Sequence, residues 1–457
     1  MKTKHILHSL VIGLLCCNIV STLSSCDDFL DITPTGKVIA STGEEYRAML
    51  TYEYKYFPND RHMTIVRTDE LKLSGQTASS DLDAYLDLWL WKDENPSPTT
   101  SYFSWRSYYH TIYIANYILE HQDEISDATD KVVSQLVGEA YMMRAYCHFL
   151  LVNLYAEPYT HCTPATTRGV PLMLEADVNA IPLSSSVEAV YQQVLSDIVE
   201  AEKHLNVDKW ALGENYRFST VSAKALYART LLYMGRWQEA LTAAKAVINA
   251  RPDLVDLNVS SALLPDDYQS DENIMALEHF STNLSTVINQ PSPDFIALYR
   301  TGDQRKSKYY KRETSTTYSL LKSEGFCSFR SAEAYLTAAE AACQLGQLTN
   351  AIDLLKPLLQ KRLNATAYND ALTLMQAMNK AQLLQEIYDE RARELAFEGH
   401  RWYDLRRTTQ PALTRTYDDE TFTLTPEKYT MRFPTEAVES NPEIERWEGG
   451  SASLNDK

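Results

Sequence analysis

Apolar residues recur at three- and four-residue spacing through most of this chain. The pattern runs over several helical turns in Tyr102–His121 and Lys131–Tyr155, and it returns in Val187–Leu205. Such spacing places apolar side chains on one face of an α-helix, whereas a half-buried strand alternates apolar and polar residues. Strand-like alternation is scarce, so we predict a mainly α-helical protein.

Two segments share an internal pattern that is typical of paired antiparallel helices. Ser219–Pro252 and Arg330–Arg362 align on Gly235 and Gly346, with alanines on both sides of each glycine and a bulky residue just after it. Small residues where helices touch, and a glycine-led turn between them, are the tetratricopeptide design. The copies lie far apart in the chain, so further helix pairs or an insertion must lie between them. We predict tetratricopeptide-type helix pairs near residues 102–155, 187–250 and 330–407.

Three stretches lack this periodicity. Residues 254–329 are richer in Pro, Asp, Ser and Tyr, Asp87–Thr100 carries two tryptophans and two prolines, and Glu157–Leu183 links two helical patterns. Long irregular stretches in a compact protein commonly carry function. We therefore predict 254–329 as an irregular ligand-binding insertion between helix pairs.

The N-terminus has the pattern of a secretory signal. Basic MKTKH precedes an apolar run, Ile6–Val20, and the tetrapeptide LSSC ends at Cys26. An apolar residue and two small residues before a cysteine form a lipobox, which predicts a lipoprotein signal peptide at 1–25 and lipid, including palmitate, on Cys26. An ordinary cleaved signal that contains a cysteine is the alternative. We expect 26–457 to be a single domain anchored by lipid, because no later run is long enough to span a membrane.

Charge and cysteine usage exclude two classes of partner. The formal net charge of −18 repels phosphates, so nucleic-acid binding is not expected. The cysteines after the lipid site are Cys147, Cys162, Cys327 and Cys343. Without a CxxC motif or histidines at ligand spacing they predict no metal site, and we expect no cofactor. Cys147 and Cys343 lie in apolar helical patterns and are predicted to be buried, while one disulfide among the four stays possible.

The segment Gln385–Thr408, QEIYDERARELAFEGHRWYDLRRT, combines a dense run of charges with an aromatic pair and one glycine. One interpretation is a surface helix with ion pairs such as Asp389 to Arg393. The order of residues, however, resembles the C-terminal signature of SusD/RagB-like proteins, outer-membrane lipoproteins that capture nutrients for a partner transporter. The residues that match this signature are Arg391, Arg393, Glu394, Glu398, Arg401, Trp402 and Asp404. We interpret them as structural, with arginine–carboxylate pairs that lock the terminal helix to the repeats.

The resemblance continues along the chain. Gly138–Tyr159 resembles the family's early helix, Asp271–Glu278 its short strand after the first repeat, and Asp294–Arg305 its Leu-Tyr…Asp-x-Arg segment. Met431–Pro442 is similar to the family's closing turn, although only Pro434 remains of the usual Pro-Ile-Pro. The matches occur in the family's order from the lipid site to the C-terminal region.

The resemblance implies a SusD-like fold, in which repeat helices form a scaffold and a more irregular face holds the ligand. It also implies a lipoprotein that captures oligosaccharide nutrients and delivers them to a SusC-like TonB-dependent barrel in the outer membrane. Asp27-Asp28, directly after the lipid site, imply that it faces the exterior. A peptide ligand, as in RagB-like members, is the alternative.

No catalytic motif occurs in the sequence, so we expect a binding protein and not an enzyme. The rival hypothesis is a surface glycoside hydrolase, which needs two carboxylates ~5–9 Å apart across a cleft. With 61 acidic residues such a pair is always imaginable. Abundance of carboxylates therefore does not favour the hydrolase.

Candidate ligand-binding residues are those in irregular stretches whose chemistry suits a sugar. Aromatic rings stack on the apolar face of a sugar, and Asp, Asn or Arg bind its hydroxyl rim. Trp89 and Trp91, beside Asp93 and Asn95, lie in a proline-bounded loop where exposed indoles are costly without a ligand. A hydrophobic cap on the following helix is their alternative role. The other candidates are Tyr309, Tyr310, Tyr318, Arg67 and Asp69. For the tyrosines, a partly buried structural role is the alternative.

Overall fold

Helices make up most of the regular structure in the computed structural model, which describes residues 40–74, 79–94, 96–281, 288–322 and 324–446. The prediction of a mainly α-helical protein is confirmed. The predicted signal peptide, Cys26 and the boundary of the mature chain lie outside the described residues. So does Asn95.

The helices follow the apolar periodicity of the sequence. They are α1 Gly43–Lys55, α2 Asp60–Met63, α3 Ser80–Trp89, α4 Arg106–Glu120, α5 Asp130–Tyr155, α6 Val187–His204, α7 Thr220–Tyr233, α8 Trp237–Ala250, α9 Pro293–Ala297, α10 Gln304–Tyr309, α11 Ser331–Gln344, α12 Leu348–Arg362, α13 Ala365–Gln376, α14 Lys380–Glu394, α15 Arg401–Arg407 and α16 Thr435–Ser440. Side-chain oxygens cap several helix starts. Ser186 and Ser219, for example, accept hydrogen bonds from the backbone N–H of Ala189 and Ser222.

The strands in the described part of the chain are short and form antiparallel pairs. They are β1 Leu71–Lys72, β2 Arg168–Pro171, β3 Ser184–Ser186, β4 Asn273–Met275, β5 His279–Ser281, β6 Gln290–Pro291, β7 Tyr310–Arg312, β8 Tyr318–Leu320, β9 Glu324–Phe326, β10 Phe329–Arg330, β11 Leu413–Tyr417 and β12 Glu420–Leu424. The pairs are β1–β6, β2–β3, β4–β10, β5–β9, β7–β8 and β11–β12. The strand expected within Asp271–Glu278 is β4.

The long helices stack in chain order, α4 on α5, α5 on α6, α6 on α7 and α7 on α8, and α8 then packs directly on α11. The two repeat-like helix pairs, α7–α8 and α11–α12, are therefore neighbours in space although they are distant in sequence. Their turns contain Gly235 at φ +70° and Gly346 at φ +78°, a conformation that glycine adopts readily. Both predicted helix pairs are confirmed.

Two helices form the centre of the hydrophobic core. α5 is buried from Gln135 to Tyr155 except at Tyr141, and α11 is buried from Ser331 to Cys343. Each fully buried Leu, Val or Phe contributes about 1.5–3 kcal/mol relative to exposure. The core therefore lies along the helical stack, and the described parts of the insertion at residues 254–329 carry short helices and strands beside it.

The four cysteines in the described residues are all free thiols, and no disulfide joins them. Cys147 and Cys343 are fully buried, as predicted from their helical patterns. Burial raises the pKa of the Cys147 thiol well above its usual range, so this side chain acts as a small apolar group.

Candidate functional site

The signature segment Gln385–Thr408 folds into α14, a turn and α15, and its charged residues are almost entirely buried. Arg393 pairs with Glu390 at 2.7 Å and also with Glu386. The predicted pair of Arg393 with Asp389, four residues earlier in the helix, does not form. Arg407 donates two hydrogen bonds to Glu340 of α11, at 2.5 and 2.8 Å. A surface helix is excluded, and the interpretation as a clamp that joins the terminal helices to the repeats is confirmed.

A network of buried charges extends this clamp into the insertion. Arg330 pairs with Glu394 at 2.7 Å and with Glu398 at 2.8 Å. Arg305 pairs with Glu394 at 2.9 Å and with Glu390 at 2.7 Å, and its side chain is fully buried. Several arginines lower the pKa of Glu394 well below its usual range against the opposing effect of burial. Such a network holds segments together, but it presents no surface to a ligand.

Trp89 and Trp91 lie inside the protein, and their exposed fractions are 5% and 0%. The guanidinium carbon of Arg415 lies 4.6 Å from the ring centroid of Trp89 and 4.3 Å from that of Trp91. Trp91 also donates from Nε1 to the backbone carbonyl of Arg67 at 2.9 Å. The prediction of an exposed aromatic platform here is wrong, because the β11–β12 hairpin that carries Arg415 packs against both indoles.

Arg67 is buried as well, although it was a candidate for ligand contact. It donates two hydrogen bonds to the carboxylate of Asp93, at 2.6 and 2.8 Å, and one to the carbonyl of Lys428 at 3.0 Å. Its guanidinium carbon lies 4.8 Å from the ring centroid of Trp402. Arg67 therefore joins buried segments of the chain through Asp93 and Lys428. The prediction that Arg67 contacts ligand is wrong.

Asp69 is engaged by the signature segment. Its carboxylate accepts two hydrogen bonds from Arg401, at 2.8 and 2.6 Å. About a quarter of the Asp69 side chain stays exposed, since its relative exposure is 27%. This partly buried bidentate pair positions a loop and uses two of the acceptor sites of the carboxylate, and Asp69 lines none of the depressions described below.

Tyr309 and Tyr310 are buried, with exposed fractions of 0% and 2%. The hydroxyl of Tyr310 bonds with that of Tyr299 at 2.9 Å, and Lys322 lies 4.7 Å from the ring centroid of Tyr309. The prediction that these two rings stack on a ligand is wrong. They lie on the inner side of α10 and β7, where the alternative structural role applies.

Tyr318 is the predicted aromatic residue that the structure leaves partly exposed beside a cleft. It lies on β8, directly opposite Arg312 of β7. The five-residue turn between the strands is held by a hydrogen bond from Glu313 N to Thr317 O at 3.0 Å. Lys306 of α10 places its ammonium 5.8 Å from the ring centroid of Tyr318. The hairpin therefore presents one aromatic face together with two cationic side chains.

The ring of Tyr318 borders two surface depressions. The first has a volume of about 230 Å³ and is lined by Asn289, Gln290, Glu313, Thr317, Tyr318, Ser319 and Leu320. The second has a volume of about 460 Å³ and is lined by Tyr299, Arg300, Thr301, Gly302, Asp303, Lys306, Ser307, Tyr310, Arg312 and Tyr318. Hydroxyl, amide and charged groups thus surround a ring that can stack on a sugar.

A third depression adjoins the second and shares Arg300 and Thr301 with it. Its volume is about 510 Å³, and its other lining residues are Ala297, Leu298, Ala367, Asp370, Ala371, Leu374, Glu386, Asp389 and Arg393. We name the three depressions together the Tyr318 cleft. It lies between the insertion and α13–α14, on the outside of the buried charge network.

Sequence reasoning named Tyr318 but missed most of the polar lining of the cleft. Arg300 lies in the connection between α9 and α10, and Lys306 lies in the short helix α10, so neither belongs to a segment with a distinct periodicity. The register that sets Arg312 opposite Tyr318 depends on the length of the intervening turn. The segment KYYKRETSTTYSLL is rich in Tyr and Thr, which are common in strands, and this composition is the signal from which a hairpin could have been inferred.

Neither a membrane span nor a metal centre is found in the part of the chain that the structure describes. Within it, no helix is both long enough and apolar enough to cross a membrane. Over the same ranges, His, Cys, Asp and Glu side chains form no group of three or more that could hold a metal ion.

Two family models match separate parts of the chain. A model described as the SusD family matches residues 266–446. A SusD-like model described as starch-binding and associating with the outer membrane matches residues 28–232. The two models together account for most of the chain on both sides of residues 233–265.

Full-length comparisons agree with the family models. SusD-like protein P38 of Formosa agariphila is 24% identical over 86% of this chain and 90% of its own length. SusD-like protein P25 of the same organism is 21% identical over 66% of this chain and 69% of its own length.

Solved structures share the fold at low identity. A SusD superfamily protein of Bacteroides thetaiotaomicron has a TM-score of 0.73 at 20% identity, over 88% of this chain and 99% of that protein. A laminarin-binding SusD-like protein has a TM-score of 0.61 at 21% identity, over 81% and 92% of the two chains. The order of residues in Gln385–Thr408, the matching models and the shared fold lead to one conclusion: this chain belongs to the SusD family.

Proposed function

We propose that this protein is a surface lipoprotein that binds oligosaccharide in the Tyr318 cleft and delivers it to a TonB-dependent transporter of the outer membrane. The observation that carries the proposal is the partly exposed ring of Tyr318 between two open depressions. A sugar stacked on this ring would meet hydroxyl, amide and cationic groups at its rim. Open sites of this shape suit reversible capture, because a ligand that is passed on must also dissociate.

The carboxylates next to Tyr318 favour binding over hydrolysis. Asp303 is buried and receives two hydrogen bonds from Arg305, at 2.9 and 2.7 Å. Glu313 accepts from Ser319 at 2.7 Å and pairs with Lys311 at 3.0 Å. A glycosidase needs one carboxyl group as an acid and a second as a base or nucleophile, both free to face the bond that breaks. The two carboxylates that border Tyr318 are engaged by other side chains, which supports binding without hydrolysis at this ring.

Anchoring and delivery complete the proposal. Lipid on Cys26 would hold the protein at the outer membrane, and a SusC-like barrel would receive the ligand. The support is the lipobox in the sequence and the matching model described as associating with the outer membrane. An oligosaccharide ligand is supported by the starch-binding description of that model and by the laminarin-binding structural neighbour.

Ligand binding can be tested by calorimetry with oligosaccharides from laminarin, starch and acidic polysaccharides, and with a peptide mixture. We expect oligosaccharide binding in at least one series, and Tyr318→Ala should weaken it about 10-fold through loss of stacking. Tyr417→Ala is the matched control, since Tyr417 is also a half-buried tyrosine in a two-stranded hairpin. It should bind as the unaltered protein does.

Other outcomes separate the rival functions. Retention of peptides without oligosaccharides would favour the peptide-binding alternative. Release of new reducing ends from a bound oligosaccharide would establish a hydrolase. Equal losses of oligosaccharide affinity in Tyr318→Ala and Tyr417→Ala would show that the Tyr318 cleft is not the binding site.

A further inference from the structure

We propose that the Tyr318 cleft selects acidic oligosaccharides, through contact of its cationic side chains with carboxylate or sulfate groups on the sugar. This inference rests on the proposed function and adds the chemical class of the ligand. Its basis is the set of charges beside Tyr318 and the way in which each of them is compensated.

Two cations beside the ring have no carboxylate partner among the described residues. Lys306 and Arg312 both line the second depression together with Tyr318, and neither forms an ion pair with a described carboxylate. Arg312 donates instead to the turn carbonyls of Thr314 at 3.0 Å and Ser315 at 3.3 Å. These bonds hold the guanidinium in place but leave its charge without a counter-ion from the described protein.

A third cation lies deeper in the cleft, where the second and third depressions meet. Arg300 donates from one nitrogen to Glu386 at 2.5 Å. Its other terminal nitrogen, Nη1, is buried and has no hydrogen-bond acceptor among the described residues. About a quarter of the Arg300 side chain stays exposed, so its guanidinium contributes to the charge of the cleft lining, whereas Nη1 itself is not accessible to a ligand.

The nearby acidic groups do not cancel these charges. Asp303 is fully buried against Arg305, Glu313 is paired with Lys311, and Glu386 is shared between Arg300 and Arg393. Asp370 and Asp389 line the third depression, which does not border Tyr318. The lining of the two depressions that border Tyr318 therefore carries an excess of positive charge, on a chain of formal net charge −18.

This local excess is unexpected for a site that binds only neutral sugars. The net negative charge of the chain repels polyanions at long range, so tight binding of an acidic sugar has to come from short-range contacts. A pyranose ring that stacks on Tyr318 presents its substituents at the edge of the aromatic ring. Lys306 lies over one face of the ring, and Arg312 lies opposite Tyr318 across the hairpin. A carboxylate or a sulfate ester on a sugar bound beside the ring would accept charge-assisted hydrogen bonds from these two side chains.

Lys308 offers a matched control in the same short helix as Lys306. It lies in α10, but it does not line any of the three depressions, and its ammonium donates to the backbone carbonyl of Ser260 at 2.7 Å. Replacement of Lys308 removes the same formal charge as replacement of Lys306 without touching the proposed contact. A general effect of net charge would therefore appear in both variants, and a site-specific effect in one.

The experiment uses full-length protein in detergent and two pairs of probes. One pair is an oligogalacturonate and its neutral methyl ester, and the other is a sulfated galactan oligosaccharide and its desulfated form. We expect at least one charged probe to bind about 10-fold or more tightly than its neutral partner. Lys306→Gln and Arg312→Gln should each weaken that binding about 10-fold, and Lys308→Gln should not change it. A higher salt concentration should weaken the binding of the charged probe and leave the binding of its neutral partner unchanged. The probe pair in which the charged form binds more tightly shows whether the site recognises a carboxylate or a sulfate group.

Two results would overturn the inference. The first is that the neutral partners bind as tightly as the charged probes, which would leave the proposed function intact with a neutral ligand. The second is that Lys306→Gln and Arg312→Gln retain the affinity for the charged probe, or lose no more affinity than Lys308→Gln does. Failure of all oligosaccharides, charged and neutral, would instead contradict the proposed function itself. Unchanged melting temperatures of the three variants would exclude misfolding as the cause.

Discussion

Buried ionisable side chains in this protein are satisfied in two different ways. Arg415 has no carboxylate in contact among the described residues, yet it donates to backbone carbonyls of Val66, Thr68 and Trp89 and packs on two indole rings. Glu70 is buried with a hydrogen bond from Phe397 N at 2.7 Å and a contact to the hydroxyl of Thr68 at 3.0 Å. A guanidinium stays charged under such conditions, whereas a carboxyl group can take up a proton and become neutral.

Glu70 makes the stability of the protein depend on pH. Burial raises the pKa of its carboxyl group to about 7, against the hydrogen bond from Phe397, which lowers it. The folded protein then binds more protons than the unfolded chain between about pH 4.5 and pH 7, so the free energy of unfolding falls as pH rises through this window. Glu70→Gln should reduce this fall. Above pH 7 the free energy of unfolding of the variant should exceed that of the unaltered protein by roughly 3 kcal/mol. Urea unfolding at a series of pH values measures this difference.

A glutamine fits the site because its oxygen can accept from Phe397 and its amide group can donate to Thr68. Glu202→Gln, at an exposed position of α6, is the control. Its free energy of unfolding should depend on pH as that of the unaltered protein does. Parallel curves for Glu70→Gln would show that the carboxyl group is ionised in the folded protein across this range.

At the scale of elements, the signature segment is held by the turn between α14 and α15. Phe397 and Gly399 both have positive φ, at +60° and +66°. A Cβ on Gly399 would lie 2.5 Å from the carbonyl oxygen of Arg61, so the backbone of α2 packs directly on the turn. The same Arg61 donates to the carbonyl of Glu398 at 3.1 Å. The turn thus joins the C-terminal helices to the start of the described chain.

Two glycines in left-handed turns should differ in their tolerance of alanine. Gly346 has φ +78°, and no atom lies within 4 Å of the position that a Cβ would occupy, so Gly346→Ala should cost about 1–2 kcal/mol from backbone strain alone. Gly399→Ala adds a clash with backbone that cannot rotate away, and should cost several kcal/mol in total, roughly 3 or more. Chemical denaturation of the two variants compares them directly. Equal losses would mean that α2 moves to accommodate the methyl group.

For the whole molecule, buried charge pairs as well as aromatic contacts such as Phe295 with Phe397 join the helices to the insertion. Arg362 of α12 and Arg330 both contact Glu394, and Arg229 of α7 donates to Glu333 of α11 at 2.7 Å. Removal of one member of such a network leaves a buried charge without a partner, which is costly. The buried network therefore supports the scaffold beneath the Tyr318 cleft, and the proposed ligand contacts of Tyr318, Lys306 and Arg312 lie outside it.

The membrane attachment of the whole protein is predicted to depend on Cys26. Cys26→Ala removes the acceptor of the lipid, so the protein expressed without a transporter partner should move from the membrane fraction to the soluble fraction. Cys162→Ala, which changes a half-buried free thiol, should leave the distribution unchanged. A Cys26→Ala protein that stays in the membrane fraction would contradict lipid anchoring at this residue.

The spacing and order of nearby residues in the sequence were sufficient to predict the helices, the glycine turns and the family. Apolar residues at helical intervals predicted α4, α5 and α6, and the alanine and glycine pattern predicted the pairs α7–α8 and α11–α12. The charge order of Gln385–Thr408 indicated the SusD family and a structural clamp. These features depend on contacts between residues close in the chain, or on an order of residues that can be compared directly with a family.

The exposure of individual rings was decided by the tertiary structure. Trp89 is buried because Arg415, 326 residues away, packs on it, and no local pattern reports such a contact. Tyr309, Tyr310 and Tyr318 are similar in sequence context, yet the chain buries the first two and leaves the third beside the cleft. By itself, the sequence determined the scaffold and the family. Which aromatic and cationic side chains reach the surface together was decided by distant segments that pack over the rest, because burial is a property of the folded whole.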